Sequence, residues 1–281
     1  MAVAVVTDST SDIPVNVADE LGITVVPLHV QFGKESYRDS VDLTGSEFYH
    51  KLVHDADYPK TSTPNINDFV TVYNDLGKEN REIISIHIGP KISGTYNMAV
   101  AAANEVKGDC RIEVIDSQTT LMALGLLVME AAKAAEEGMG LSQLTDLVHK
   151  LIPKAHTLVT CDTVKYLVRG GHASKTVKVL LASALGINPL IEIKEQIIPF
   201  GKVRGRAKAM DALCKYVSNF PHPRGLAVEY ATDAEEAKSL AGRLADMFPG
   251  IPIYTSIVGA VVGAHLGPHA LAVSTLEGDI D

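Results

Sequence analysis

The sequence predicts an α/β protein of two domains, the first built on a parallel sheet and the second on a mixed one. In the first half, short β-branched runs alternate with segments of helical spacing, the pattern of a parallel sheet covered on both faces. In the second half, PLIEIKEQIIPFGKV (189–203) reads as two strands joined by a turn near Glu195. A hairpin is antiparallel, so that sheet must be mixed. The 281 residues fit one large domain or two modest ones. The boundary is placed near 150–157, giving domains 1–155 and 156–281.

The elements follow in order. AVAVVTD (2–8) is a strand, and DIPVNVADELG (12–22) carries helical spacing and stops at Gly22. ITVVPLHVQF (23–32) is extended. GSEFYHKLVH (45–54) and TPNINDFVTVYNDLG (63–77) read as helices, with Thr63 as N-cap and Pro64 in the first turn. EIISIHIG (82–89) is a strand, SGTYNMAVAAANEV (93–106) a helix, RIEVID (111–116) a strand and TLMALGLLVMEAAKAAEEG (120–138) a helix. Beyond these, LSQLTDLVHKLI (141–152) is a helix, HTLVTC (156–161) a strand and KTVKVLLASALG (175–186) a helix ending at Gly186. After the hairpin come a helix over 207–220, a strand over 225–231 and a helix over 233–248. In that last helix Ala237, Leu240, Ala241, Leu244, Met247 and Phe248 share one face. IPIYTSIV (251–258) and HALAVSTL (269–276) close the chain as strands.

Composition narrows the function. The net charge is −9, which disfavours nucleic acid, where phosphate neutralisation needs a basic face. There is no Trp and 5% aromatic residues, so a base-stacking platform is not expected. Cys110, Cys161 and Cys214 are far apart and form no CxxC. They read as thiols of a reducing compartment. MAVAVVTDSTSD meets Asp8 before a signal-peptide core forms, and the most apolar helical run, LMALGLLVMEAAKAA, is broken by Glu130 and Lys133. A cytoplasmic protein without stable membrane insertion is the expectation.

Ligands of open α/β sheets collect at the carboxyl ends of the strands. KISGTYN (91–97) stands at such an end. Ser93 there reads either as the N-cap of the next helix or as a ligand donor, because free N–H groups at a helix start attract an anion. TSTP (61–64) is a second hydroxyl cluster at an expected helix start. His265, in GAVVGAHLGPHALAV, has the chemistry to donate to a carboxylate and equally reads as a hydrogen-bonded core histidine. Neither GxGxxG after the first strand nor GxxxxGK[ST] nor GxSxG occurs. His50 and His54 lack the glutamate of HExxH and read as a solvated face. Gly267 and Pro268 would break the helix that a His265–His269 metal pair needs. Asp8, Asp12 and Asp116 follow strands and read as acid/base groups or as turn residues. Arg204 and Arg206 read as an exposed basic pair.

Taken in order, VTDSTSDIP (6–14), TSTP (61–64), ISGTYN (92–97), VIDS (114–117), KYLVRGG (165–171), GKVRGR (201–206) and GAHLGPHAL (263–271) span nearly the whole chain. Together they resemble the DegV family, bacterial fatty-acid-binding proteins that serve as carrier subunits of fatty acid kinase. The resemblance implies a Rossmann-like N-terminal domain and a smaller α/β domain with a mixed six-stranded sheet. It implies one long-chain fatty acid between them as ligand, no cofactor and no catalytic residue. Its carboxylate would be held by Thr61, Ser93 and His265, with Ser62, Gly94 and Thr95 completing the ligand-binding set. Arg204 would dock a kinase catalytic subunit that holds ATP and converts the acid to an acyl phosphate. By the same analogy the chain is a monomer. Two positions depart from the family pattern. His172 stands where members often carry an arginine after GG, with Arg169 just before the pair, and His269 replaces a glycine of the last motif. His172 is thus a possible head-group or partner contact.

Burying a sixteen-carbon acyl chain releases on the order of 12 kcal/mol before binding costs. A few neutral donors then suffice to fix the head group, and they must be local because a net charge of −9 repels a carboxylate. The helix from Thr120 reads as tail lining or as ordinary core. Two other readings stay open. One is a hydrolase with Ser93 as nucleophile and His265 as base. The other is a small-ketone-binding protein, from a distant similarity to the substrate subunit of dihydroxyacetone kinases.

Overall fold

The computed structural model describes residues 3–55, 57–171 and 186–278. The helix expected over 175–186 and the contact expected of His172 lie outside the described residues, Gly186 excepted.

A four-stranded parallel sheet forms first. Its strands are β1 (Ala4–Asp8), β2 (Ile23–Val26), β6 (Glu82–His87) and β7 (Arg111–Asp116), in the order β2-β1-β6-β7. Val5, Val6, Ile83, Ile84 and Ile86 are buried, as strands covered on both faces require. Helices α1 (Val15–Glu20), α3 (Ile66–Gly77), α4 (Thr95–Glu105) and α6 (Leu141–Leu151) belong to this half. The expected alternation is therefore present.

A small antiparallel sheet is an addition to the expected architecture. It holds β3 (His29–Phe32), β4 (Glu35–Arg38) and β5 (Lys60–Ser62), with β3 in the centre. The run 23–32 looks like one strand in sequence, but Pro27 lacks the N–H that a continuing ladder needs. Beyond it the chain pairs in this second sheet. Helix α2 (Gly45–His54) connects β4 to β5, capped by Thr44 and Glu47. His50 and His54 stack on its exposed side.

The second large sheet is mixed and six-stranded, in the order β10-β9-β8-β13-β11-β12. Its strands are β8 (Ala155–Thr160), β9 (Ile187–Ile193), β10 (Ile197–Arg204), β11 (Pro223–Tyr230), β12 (Ile253–Ile257) and β13 (Leu271–Glu277). The expected hairpin is β9–β10, which is antiparallel. Helices α7 (Lys165–Arg169), α8 (Arg206–Val217), α9 (Ala234–Met247) and α10 (Ala260–Leu266) belong to this half. On α9 the expected face is buried at Ala237, Leu240 and Leu244, whereas Met247 is exposed near the end of the helix.

Helix α5 (Leu121–Glu136) lies between the two large sheets, touching β1, β2 and β6 on one side and β8, β11 and β13 on the other. Thirteen of its residues are buried, so it is apolar all round because both sides meet protein. The tail-lining reading of this helix is corrected: it is core, and only Thr120 just ahead of it faces the cavity described below. Gly125 allows the close approach, since a Cβ there would stand 2.6 Å from the Ser11 carbonyl oxygen.

Buried carboxylates join the halves reciprocally. Glu229 of β11 accepts from the Met122 amide at the start of α5 and from Ser274 Oγ, both at 2.7 Å. From the other half, Asp12 accepts from the Gly259 amide at 3.1 Å, and Asp39 accepts from the Ala260 amide at 3.0 Å. These carboxylates satisfy the orphan N–H groups that open α5 and α10.

Candidate ligand-binding site

The parallel sheet reverses its strand order between β1 and β6, the topological switch where open α/β sheets form a crevice. The loops leaving these strands contribute Thr10, Ile88, Ile92 and Ser93 to a cavity of about 210 Å³. The other walls come from β5, α7, the β9–β10 hairpin and α10.

The cavity lining holds a polar cluster. Thr61 Oγ1 lies 2.9 Å from His265 Nε2, bringing together residues 204 positions apart. Ser62, Thr63 and Ser93 line the same space. Thr10 and Thr120 add two further hydroxyls, and the other lining side chains are aliphatic, Leu28, Leu167, Ile193, Ile197, Val262 and Leu266 among them. No Asp or Glu lines the cavity among the described residues.

Each polar side chain is set by its element. Thr61 sits in β5 opposite Val30, so TSTP is a strand end and not a helix start. Thr63 is not the N-cap of α3. Asn65 and Asp68 form that capping box, which leaves Thr63 to face the cavity. Helix α4 begins at Thr95 with Gly94 as N-cap, so Ser93 stands one residue ahead of its expected place. Its Oγ accepts from the Thr95 amide at 3.3 Å and lies 2.9 Å from Thr95 Oγ1. Gly94 and Thr95 do not line the cavity; Thr95 orients Ser93 from behind.

His265 is carried by α10. The first amides of that helix are pinned by Asp12 and Asp39, and Asp39 also accepts from Ser9 Oγ at 3.0 Å. Burial raises the pKa of both carboxyls, that of Asp12 well above the usual range, with Glu229, Asp39 and Asp8 adding to it. Gly170 lies directly against the His265 ring, where a Cβ would overlap the imidazole. Tyr58 Oη donates to the Ala264 carbonyl at 2.6 Å, beside His265, and the Arg169 guanidinium lies 5.1 Å from the Tyr58 ring centroid. Burial, with Tyr166 beside it, pushes the Tyr58 hydroxyl up to about 12.

A Ser–His–Asp chain exists elsewhere. Ser85 Oγ lies 2.6 Å from His87 Nε2, and His87 Nδ1 lies 3.0 Å from Asp8 Oδ2. All three side chains are wholly buried in the parallel sheet, so the chain is structural. Asp8 also accepts from the Thr10 amide and hydroxyl, Asp12 caps α10, and Asp116 accepts from the Gln118 amide. All three thus serve as turn and cap residues. The basic-pair reading of Arg204 and Arg206 is corrected. Arg204 is exposed at the end of β10. Arg206 instead makes two 2.6 Å bonds to Glu236 and donates to the His269 carbonyl.

A family model described as "Uncharacterised protein, DegV family" matches residues 2–278. The chain belongs to the DegV family. Protein DegV of Bacillus subtilis (strain 168) is 32% identical over 280 residues, covering 97% of this chain and 98% of the relative. The crystal structure of DegV, a fatty acid binding protein from Bacillus subtilis, superposes with a TM-score of 0.90 at 30% identity over 99% of this chain and all of that one. A DegV family protein from Thermus thermophilus, described for fatty acid binding, gives a TM-score of 0.88 at 29% identity, covering 99% of this chain and 100% of that one. A stearic acid-binding protein from Eubacterium ventriosum gives 0.90 at 27% identity, covering 98% of each chain.

The DegV motifs distribute unevenly around the cavity. TSTP, ISGTYN and GAHLGPHAL supply hydroxyls and the imidazole to its lining, and KYLVRGG packs on the histidine through Gly170. VTDSTSDIP supplies Thr10 and the Asp12 cap. Through VIDS, Ser117 Oγ bonds the Thr119 carbonyl and shapes the turn before Thr120. Arg204 of GKVRGR does not line the cavity. Among cavity residues, sequence reasoning misses Thr10, Thr63 and the Ile193–Ile197 pair. The hairpin turn that brings those two isoleucines in is legible, but its destination is not.

Proposed function

We propose that the cavity holds one long-chain fatty acid, with its carboxylate at Thr61, Ser93 and His265 and its tail among the aliphatic side chains. The make-up of the cavity carries this reading: hydroxyls and an imidazole, with Thr61 and His265 in contact, stand beside a larger number of aliphatic side chains and no carboxylate among the described residues. The hydrogen bonds suit an anion. With His265 Nε2–H donating to Thr61, the Thr61 hydroxyl hydrogen is free for the ligand, and the neutral His265 acts by orienting that hydroxyl. With the Thr95 amide and hydroxyl donating to Ser93, the Ser93 hydrogen is free as well. Neutral donors of this kind contribute about 1.5–3 kcal/mol each to a charged acceptor. Burial of the acyl chain contributes more, on the order of 12 kcal/mol gross for sixteen carbons.

In this reading the chain is a non-catalytic, monomeric carrier of the cytoplasm, with its ligand between domains 1–155 and 156–281. It presents the carboxylate to a kinase that makes the acyl phosphate, and the exposed Arg204 serves docking. The hydrogen bonds of Ser93 go to Thr95 and not to His265, which supports a binding role over a nucleophile–base pair.

Titration of the delipidated chain with oleate and palmitate tests the site. Ser93→Ala is expected to weaken affinity about tenfold or more with an unchanged melting temperature. Unchanged affinity would return Ser93 to a local turn role. Arg204→Ala is expected to keep its fatty acid and lose turnover with the kinase; full turnover would remove the docking role.

A further inference from the structure

Each serine or threonine has one hydroxyl hydrogen to give. Thr10, Thr61, Ser62, Thr63, Ser93 and Thr120 are the hydroxyl side chains that line the cavity among the described residues. Two of them give their hydrogen to the protein. Thr10 Oγ1 donates to Asp8 Oδ1 at 2.6 Å, and Thr120 Oγ1 donates to the Thr10 carbonyl at 3.1 Å. Only lone pairs remain on these two oxygens, and lone pairs repel a carboxylate. Thr61 and Ser93 accept from His265 and Thr95 and keep their hydrogens. The hydroxyls of Ser62 and Thr63 make no hydrogen bond among the described residues.

Thr63 and Ser62 differ in placement. Ser62 is exposed, whereas Thr63 is half-buried. Strand β5 ends at Ser62, and Pro64 follows Thr63. A residue before proline is held extended, so the alternation of the strand runs on to Thr63. Its side chain therefore leaves the backbone on the same side as that of Thr61. A Cβ on Gly94 would stand 3.6 Å from Thr63 Cγ2. Thr63 thus reaches from the strand of Thr61 to the loop of Ser93. It has no capping duty, because Asn65 caps the helix that follows.

We propose that Thr63 is a further head-group residue, whose hydroxyl donates to the carboxylate of the bound ligand. The role rests on the reading of the cavity as a fatty acid site. A carboxylate accepts at about four lone-pair positions. Thr61 and Ser93 fill two of them, and Thr63 fills a third. Thr10 and Thr120 add no donor, so preference for an ionised acid over a neutral head group depends on this short set. Thr63 is therefore a specificity residue: it strengthens binding of the anion more than binding of a neutral lipid with the same tail.

Titration of the delipidated chain with oleate and with oleyl alcohol, which share one tail, tests this in wild type, Thr63→Val and Thr63→Ser. Wild type is expected to prefer oleate. Thr63→Val keeps the shape of threonine and removes the hydroxyl. It is expected to lower oleate affinity about tenfold and alcohol affinity by no more than about threefold, because a hydrogen bond to a charged acceptor is the stronger one. Thr63→Ser, which keeps the hydroxyl, is expected to retain the preference. An unchanged ratio of oleate to alcohol affinity in Thr63→Val would overturn the proposal, whether both affinities fall together or neither moves. So would a Thr63→Ser variant that behaves like Thr63→Val. A wild type with no preference for oleate would overturn the carboxylate reading of the cavity, and this role with it.

Discussion

Gly170 shows how a residue acts through its lack of a side chain. Its φ of −74° suits any residue, yet a Cβ there would overlap the His265 ring. Gly170→Ala is therefore expected to displace the imidazole from Thr61 and to lower fatty acid content. Gly242→Ala is the control. Nothing lies within 4 Å of a Cβ at that position in α9, and the change should raise stability by about 0.5–1 kcal/mol. Equal lipid content in the two variants would contradict the contact. The site is legible in sequence to different depths at this scale. Ser93 and His265 are candidates from their place in the chain, each with an equal structural reading, and the set Thr61, Ser93 and His265 comes together only through the family resemblance. Thr63 escapes because a hydroxyl near a helix start reads first as a cap, and only the true cap, Asn65, frees it; Thr10 escapes because nothing in VTDSTSDIP marks which of its hydroxyls faces a cavity. A glycine's packing partner leaves no local trace.

At the scale of elements, buried carboxylates do the joining, and they make stability depend on pH. Burial raises Glu229 from the ordinary 4.5 to about 7, against the lowering effect of Ser274 and the Met122 amide. Between those values the folded chain holds a proton that the unfolded chain has released. Stability therefore falls as pH rises from about 4.5 through 7 and levels off above. The interval is worth roughly 3 kcal/mol. Burial raises Asp12 and Asp39 in the same sense. His156, lowered chiefly by burial, acts oppositely below its ordinary range. Urea unfolding of wild type and Glu229→Gln across this range isolates the Glu229 contribution. The difference in midpoint should move steadily toward the variant as pH rises; a constant difference would contradict it. Helices and strands of the two large sheets are readable from their periodicity. The small sheet is not, because its strands have three or four residues and no period can be counted over so few. Helix α5 is recognisable as apolar, but whether such a helix meets protein or ligand is decided by what flanks it.

At the scale of the whole molecule, two sheets share one buried helix, and a cavity forms where the switch of the parallel sheet faces α7, α10 and the β9–β10 hairpin. Among the described residues no helix is long and apolar enough to cross a membrane, and no group of three or more His, Cys, Asp or Glu could hold a metal ion. A ligand that spans both halves stabilises the fold by mass action, by about 2.7 kcal/mol at a hundredfold excess over its Kd. Delipidated protein should melt lower than loaded protein and recover on adding oleate. An unmoved melting temperature at saturating oleate would argue against a ligand held between the halves. The central claim is that this cavity carries a fatty acid, and native mass spectrometry of the purified chain, followed by identification of its extracted lipid, tests it most directly. One long-chain fatty acid per chain is the expected result. Recovery of no lipid, from protein that also takes up neither added oleate nor palmitate, would contradict it.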